Sequence, residues 1–205
     1  QYRSLGANAA HRLIARIEEH SAPAQLPLLG KLTDTATLSE PASERSLRVV
    51  VVGELNIDMF INLPHLPNAG ETRAIISRTR MPGGKGLNQS IALAKAGVPV
   101  YHAGIVGTDG DILLDACKEA GVNTKYIRRL PVKGGHTMIQ VDKNAQNCII
   151  LYGGTNQMQT KEFVDEVLAD FGEGDYLILQ NEINMLDYII DQAYEKKMKI
   201  VMNPS

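Results

Sequence analysis

The sequence predicts an α/β protein built on a mostly parallel sheet flanked by helices. Three observations predict it. Leu47 to Val52 contains the run Val49-Val50-Val51-Val52, as expected of a strand buried on both faces of a parallel sheet. From there onward strand-like and helix-like segments alternate, the rhythm of βα units. Between them, Pro82-Gly83-Gly84-Lys85-Gly86-Leu87-Asn88-Gln89-Ser90 reads as a glycine-rich loop that opens a helix.

Composition narrows the function classes. A chain of 205 residues holds one large domain or two small ones, and 44% hydrophobic residues suffice for a buried core. A net charge of −2 gives no reason to expect nucleic acid or an anionic membrane as partner. Arg128-Arg129 and Lys196-Lys197 are short basic pairs of the kind found on a solvated face. Cys117 and Cys148 form no CxxC motif and fit packed thiols in a reducing compartment. His11, His20, His65, His102 and His136 lack metal-ligand spacing. No apolar run approaches the ~18 residues of a membrane helix. Charged residues occupy the start of the chain where a signal peptide would be apolar. A cytoplasmic protein acting on a small molecule is the expectation.

Residues 1–46 read as a separate piece. Ala7 to His20 is an amphipathic helix, with Leu13, Ile14 and Ile17 on one side, followed by a linker containing Pro23, Pro27 and Pro41. Residues 47–205 form the main domain. Its first strand ends at Gly53, and Asn56 and Asp58 follow directly. Ligands of open α/β sheets bind beyond the carboxyl ends of the strands. Side chains two apart in an extended segment share one face. An amide and a carboxylate on that face suit a hydroxyl-rich ligand.

Met59–Leu63 and Arg73–Thr79 read as short strands around a turn at Pro64–Gly70. The glycine loop comes next, then a helix with Leu87, Ile91 and Ala94 on its buried face and Gly97 at its end. The first N–H groups of such a helix lack internal partners and favour a polar or anionic ligand. Lys85 adds a charge there and Asn88 an amide. This is not a Walker A loop, since Lys85 is followed by Gly86. It is not a dinucleotide fingerprint either, since position 89 is Gln89.

Val98–Val106 is a second buried strand and Asp109–Ala120 a helix closed by Gly121. Thr137–Val141 and Asn147–Tyr152 make a hairpin that can join the strands after Asp58 in a small separate sheet. Lys161–Phe171 is a helix, Tyr176–Gln180 a strand with Asn181-Glu182 at its carboxyl end, Leu186–Lys197 a helix and Lys199–Met202 a last strand. Gly172-Glu173-Gly174-Asp175 imitates a catalytic glycine–aspartate motif. It lies before a strand, however, and reads as an αβ turn.

Taken together, Val51-Val52-Gly53-x-x-Asn56-x-Asp58, Gly70-Glu71-Thr72, Gly83-Gly84-Lys85-Gly86-x-Asn88-Gln89, Gly104-x-x-Gly107-x-Asp109, Gln180-x-Glu182 and Asn203-Pro204 resemble the ribokinases, which are phosphofructokinase-B-type carbohydrate kinases. The resemblance covers residues 47 to 205. It implies a ribokinase-like α/β fold with a small β-sheet lid that also forms a homodimer contact. It implies that Asn56, Asp58, Gly84, Lys85, Gly86, Asn88 and Glu182 bind sugar, with Thr137 and Ile139 facing it from the lid. The implied reaction transfers the γ-phosphoryl of MgATP to the 5-hydroxyl of ribose, with a monovalent cation such as K+ in attendance.

The family's catalytic aspartate lies in a Gly-x-Gly-Asp motif downstream of the Asn-Pro motif, as do its ATP-binding loops. Neither is found in these 205 residues. The expectation is therefore a domain truncated at its C-terminus: a sugar site without a catalytic base, inactive by itself. Leu87, Ser90 and Asn181 depart from the family pattern and leave open whether the sugar is ribose, deoxyribose or a related pentose. The stretch Leu5-Gly6-x-x-Ala9-Ala10-x-x-Leu13-Ile14 resembles the closing helix of lactose-repressor-type sensors. That resemblance raises the alternative of a non-catalytic sugar-sensing module in a repressor–kinase fusion.

Overall fold

The computed structural model describes residues 48–204, so the expected N-terminal helix and linker of residues 1–46 lie outside the described residues. In chain order the elements are β1 (Val49–Val52), β2 (Asn56–Leu63), β3 (Ser77–Gly83), α1 (Lys85–Lys95), β4 (Val100–Val106), α2 (Asp111–Ala120), β5 (Asn123–Arg129), β6 (Gly135–Asp142), β7 (Asn147–Tyr152), a 3-10 turn (Gly154–Gln157), α3 (Lys161–Ala169), β8 (Tyr176–Leu179), α4 (Leu186–Glu195) and β9 (Lys199–Met202).

Five strands form one sheet in the order β5-β4-β1-β8-β9, and every neighbouring pair is parallel. The valine run of β1 lies at its centre. Because side chains alternate along a strand, Val50 and Val52 enter one core with Phe163, Val167, Ile189 and Leu177, under α3 and α4. Val49 and Val51 enter a second core with Leu87, Leu113 and Cys117, under α1 and α2. Local signals bound the helices. Thr160 caps α3 by accepting a hydrogen bond from the Phe163 amide at 3.3 Å.

The remaining four strands form a separate sheet in the order β3-β2-β6-β7, as the hairpin predicted. β2 pairs antiparallel with β3 and parallel with β6, which pairs antiparallel with β7. Three details differ from the sequence reading. β2 begins at Asn56, so the Asn56–Asp58 pair is part of the strand. The strand expected at Arg73–Thr79 is displaced to Ser77–Gly83, running into the glycine loop. It tolerates Pro82 because β3 is an edge strand. β5 was not expected at all: Arg128 and Arg129 stand on it and pair with Glu166 and Asp111 on a solvated face, the setting expected of that basic pair.

Candidate functional site

The carboxyl ends of β1 and β8, the start of α1 and the base of the four-stranded sheet meet at one place. Gly84, the residue before α1, has φ +97°, a backbone region that L side chains rarely adopt. This turn sets Lys85 at the first position of the helix. From there its ammonium pairs with the Glu182 carboxylate just beyond β8. Gln180, at the end of β8, donates to the side-chain oxygen of Gln89 one turn further along α1. The Ser90 hydroxyl lies 2.7 Å from Nδ1 of the buried His102 in β4. The glycine loop and its helix are thus fixed to two strands of the parallel sheet, β8 and β4.

Two of the first N–H groups of α1, those of Lys85 and Leu87, do not wait for a ligand. Glu54, only 3% exposed, supplies the partners from the β1–β2 connection. Its Oε1 accepts from the Lys85 amide at 2.9 Å, and its backbone carbonyl accepts from the Leu87 amide at 3.2 Å. A carboxylate at a helix N-terminus is favoured by the helix dipole. Burial nevertheless raises the Glu54 carboxyl above its ordinary range, and the charge of Glu182 adds to this. The Lys85 amide, the Lys85 charge and the Asn56 amide oppose the rise without cancelling it.

Glu54 also organises the first candidate ligand. Its Oε2 accepts from Asn56 Nδ2 at 2.7 Å, while Asn56 Oδ1 accepts from Asn156 Nδ2 at 2.7 Å. Asn156 in turn accepts from the Leu55 amide at 2.9 Å. Asn56 is buried, and both ends of its amide are engaged by protein. Its place is beneath the site, where it ties the β1–β2 connection to the 3-10 turn.

Asp58 is different. It is half-buried on the face of β2 that also carries Phe60, and its register partners are Met81 on β3 and Thr137 on β6. Gly83 gives it room, since a Cβ there would lie 2.0 Å from Asp58 Oδ2. Burial raises its carboxyl, opposed by a hydrogen bond from Thr137. Thr137 and Ile139 fall on this same face through the period of two. Gly86 is buried under the loop and Asn88 is exposed. The structure therefore brings Asp58, Gly84, Lys85, Glu182 and Thr137 around one rim, with Asn88 on the first turn of α1.

Sequence reasoning passed over Glu54 and Asn156. Asn156 follows a Gly-Gly pair on a connecting turn, and Glu54 stands at an unspecified position of the Gly53-x-x-Asn56 stretch. The imitation motif Gly172–Asp175 falls at the amino end of β8. There Asp175 accepts hydrogen bonds from the Gly172 amide at 3.0 Å and from Arg48 Nη2 at 2.9 Å. It closes a turn, as the sequence indicated.

Comparison with known proteins identifies the family. Residues 46–203 match the model of the pfkB family of carbohydrate kinases. The chain belongs to that family. A ribokinase of Staphylococcus aureus is 33% identical over 164 residues, covering 77% of this chain and 54% of that protein. The structure of Arabidopsis thaliana ribokinase complexed with ribose and ATP superposes with a TM-score of 0.67 at 26% identity, covering 77% of this chain and 53% of that one. Ribokinase from Cryptococcus neoformans in complex with ADP gives 0.65 at 31% identity, covering 77% and 51%. The chain spans about half the length of these relatives. The ribokinase-like fold expected from the sequence is the fold observed.

Proposed function

We propose that this chain supplies the sugar-binding half of a ribokinase-type enzyme that transfers the γ-phosphoryl of ATP to the 5-hydroxyl of ribose in the cytoplasm. The observation that carries this reading is the pairing of Lys85 with Glu182 on the rim that Asp58 overhangs from the small sheet. Carboxylates accept hydrogen bonds from hydroxyls and the ammonium donates them, so a polyol is gripped from several directions. Such a grip holds one hydroxyl in line with the phosphate, and phosphoryl transfer depends mostly on positioning and charge stabilisation. The small sheet acts as a lid that excludes water from the acceptor position. Its apolar side, which carries Phe60, Met81, Ile149 and Leu151, pairs two copies of the chain.

Among the described residues no cluster of three or more His, Cys, Asp or Glu side chains has the arrangement of a metal site. Mg2+ with the ATP and a monovalent cation such as K+ belong to this proposal from the family resemblance, and no residue of this chain is assigned as catalytic base. By itself the chain binds sugar without transferring phosphate.

The test has two parts. Calorimetry on this chain should show ribose binding that weakens at least ~10-fold in Asp58→Ala, the loss of about 1.5–3 kcal/mol typical of a hydrogen bond to a charged group. The complete open reading frame should phosphorylate ribose in preference to other sugars and nucleosides. Ribose binding that is unchanged by Asp58→Ala, or turnover that prefers a nucleoside, would overturn the reading.

A further inference from the structure

Alternation along the small sheet gives it a second face with different chemistry. Asp58 points to one side of β2, so Met59 points to the other, together with its β3 partner Arg80 and with Arg78 two residues before it. These three side chains line a cleft of about 400 Å3 together with His136 on the neighbouring strand β6 and with Asp109 and Lys133. The volume falls in the lower part of the roughly 300–1,000 Å3 range of small-molecule sites.

The charges in this cleft do not cancel. Asp109 is already compensated: its Oδ1 accepts from the Gly134 amide at 3.0 Å, and its Oδ2 lies 3.0 Å from His136 Nε2 and 3.8 Å from Lys133 Nζ. Burial raises the Asp109 carboxyl, but the Gly134 amide, its own backbone amide, His136 and Lys133 outweigh burial and hold it below its ordinary value. Arg78 and Arg80 have no such counterpart, since neither makes an ion pair or hydrogen bond among the described residues. Two guanidinium forks and an ammonium thus face one space, in a chain whose net charge is −2. Arginine forks are suited to bidentate capture of phosphate or carboxylate groups.

We infer that this cleft is a second ligand site, separate from the sugar rim, for a small organic dianion held between Arg78 and Arg80 on one side and Lys133 on the other. Its occupant bridges β3 of the small sheet to the Val132–Gly134 segment, which docks on the β4–α2 connection through the hydrogen bond from the Thr108 amide to the Val132 carbonyl at 2.8 Å. Binding there restrains the small sheet from the side opposite Asp58. Two anionic groups share the required chemistry: a phosphate ester and a dicarboxylate.

The experiment uses the full chain at low ionic strength, without sugar or nucleotide. Arginine side-chain N–H resonances are followed by NMR during titration with inorganic phosphate, a hexose monophosphate and malonate. Saturable shifts of the Arg78 and Arg80 signals are expected. Affinity should fall at least ~10-fold in the double variant Arg78→Gln, Arg80→Gln and by a smaller factor in Lys133→Gln, with circular dichroism unchanged because these side chains are exposed. A preference for the phosphates or for malonate supports the site either way and identifies its ligand class. Absence of saturable shifts with all three probes, or saturation unaltered in the double variant, overturns the inference. Ribose affinity does not enter this measurement, so its outcome is independent of the proposed sugar site.

Discussion

In the five-stranded sheet all four residues of β1 are at most 5% exposed, whereas all six residues of β7 in the four-stranded sheet are exposed. The first sheet is covered on both faces by helices and carries both hydrophobic cores. The second is open on both faces along its edge strands and displays Met81, Ile149 and Leu151 on one face and Ile150 and Tyr152 on the other at about half exposure. The difference assigns the two regions different work. The large sheet fixes the ends of β1 and β8, so that Glu54 and Glu182 can hold the glycine loop at one height. The small sheet is joined to it through the base near Asn56, Gly83 and Gly135 and has few buried contacts beyond that. Regions of low burial open most readily, a property that suits a cover over a bound sugar.

The comparison breaks most visibly in the core of the large sheet. Phe163 is 2% exposed and packs between α3 and the sheet, with Arg128 over its ring at 4.9 Å. Phe163→Ala should cost about 3–5 kcal/mol through lost burial and the cavity left behind. Urea unfolding followed by circular dichroism measures it. A loss below about 1 kcal/mol, the size typical of an average substitution, would mean that α3 does not anchor the sheet.

A second test uses acid. His102 lies fully buried in β4, and desolvation lowers its pKa to about 4 from 6.5, opposed by a backbone hydrogen bond involving Gly53. Between those values the unfolded chain binds the proton and the folded chain does not. Stability is therefore complete above pH 6.5 and falls as pH drops towards 4, by up to about 3 kcal/mol. Glu54 acts in the opposite sense just above pH 4.5, because its raised folded value makes the folded state the better proton binder there. In the connection between β2 and β3, Glu71 is lowered to about 2 by the Asn68 amide first and then by His65 and Arg73, against desolvation. It loses its contribution only as pH falls from 4.5 towards 2. A stability profile from pH 7 to 4 should therefore report mainly on His102 of the large sheet, with the raised carboxyls of Glu54 and of Asp58 in the small sheet acting in the opposite sense at its acid end. In His102→Gln the decline over that range should flatten, and an unchanged decline would remove His102 as its origin.

Much of this division was legible in the sequence. The valine run named the central strand, and the turn Asp142-Lys143-Asn144 between Thr137–Val141 and Asn147–Tyr152 named the hairpin. What escaped was non-local. β5 reads as polar because Asn123-Thr124-Lys125-Tyr126-Ile127-Arg128-Arg129 sits at the sheet edge. Its long side chains are satisfied there by Asp170, Glu166 and Asp111 on helices distant in sequence or on the other side of a turn. β3 was placed too early because Pro82 and Gly83 argue against a strand locally, while pairing with Ile57 and Asn56 makes them one. Glu54 is a charged residue beside a strand until the chain returns 31 residues later and offers it the Lys85 amide. Periodicity signals burial, but it carries no information about which distant amide a buried carboxylate will meet.

The smallest expected effect on stability lies in the small sheet. Ile149 and Leu151 stand on β7 at 57% and 51% exposure, on the face that carries Asp58, because Leu151 pairs with Thr137 and Ile149 with Ile139. In a single copy of the chain neither contributes to a packed core, so the double variant Ile149→Ser, Leu151→Ser should change unfolding free energy by no more than about 0.5 kcal/mol. Unpaired apolar strand edges and faces tend to find partners. If this face joins two copies, the same variant should raise the dimer dissociation constant at least ~10-fold in sedimentation equilibrium, about 1.4 kcal/mol of association energy. An unfolding loss of several kcal/mol would show that the small sheet has a core of its own. Unchanged self-association would move the dimer contact elsewhere and leave the exposed isoleucine and leucine to the sugar side of the lid alone.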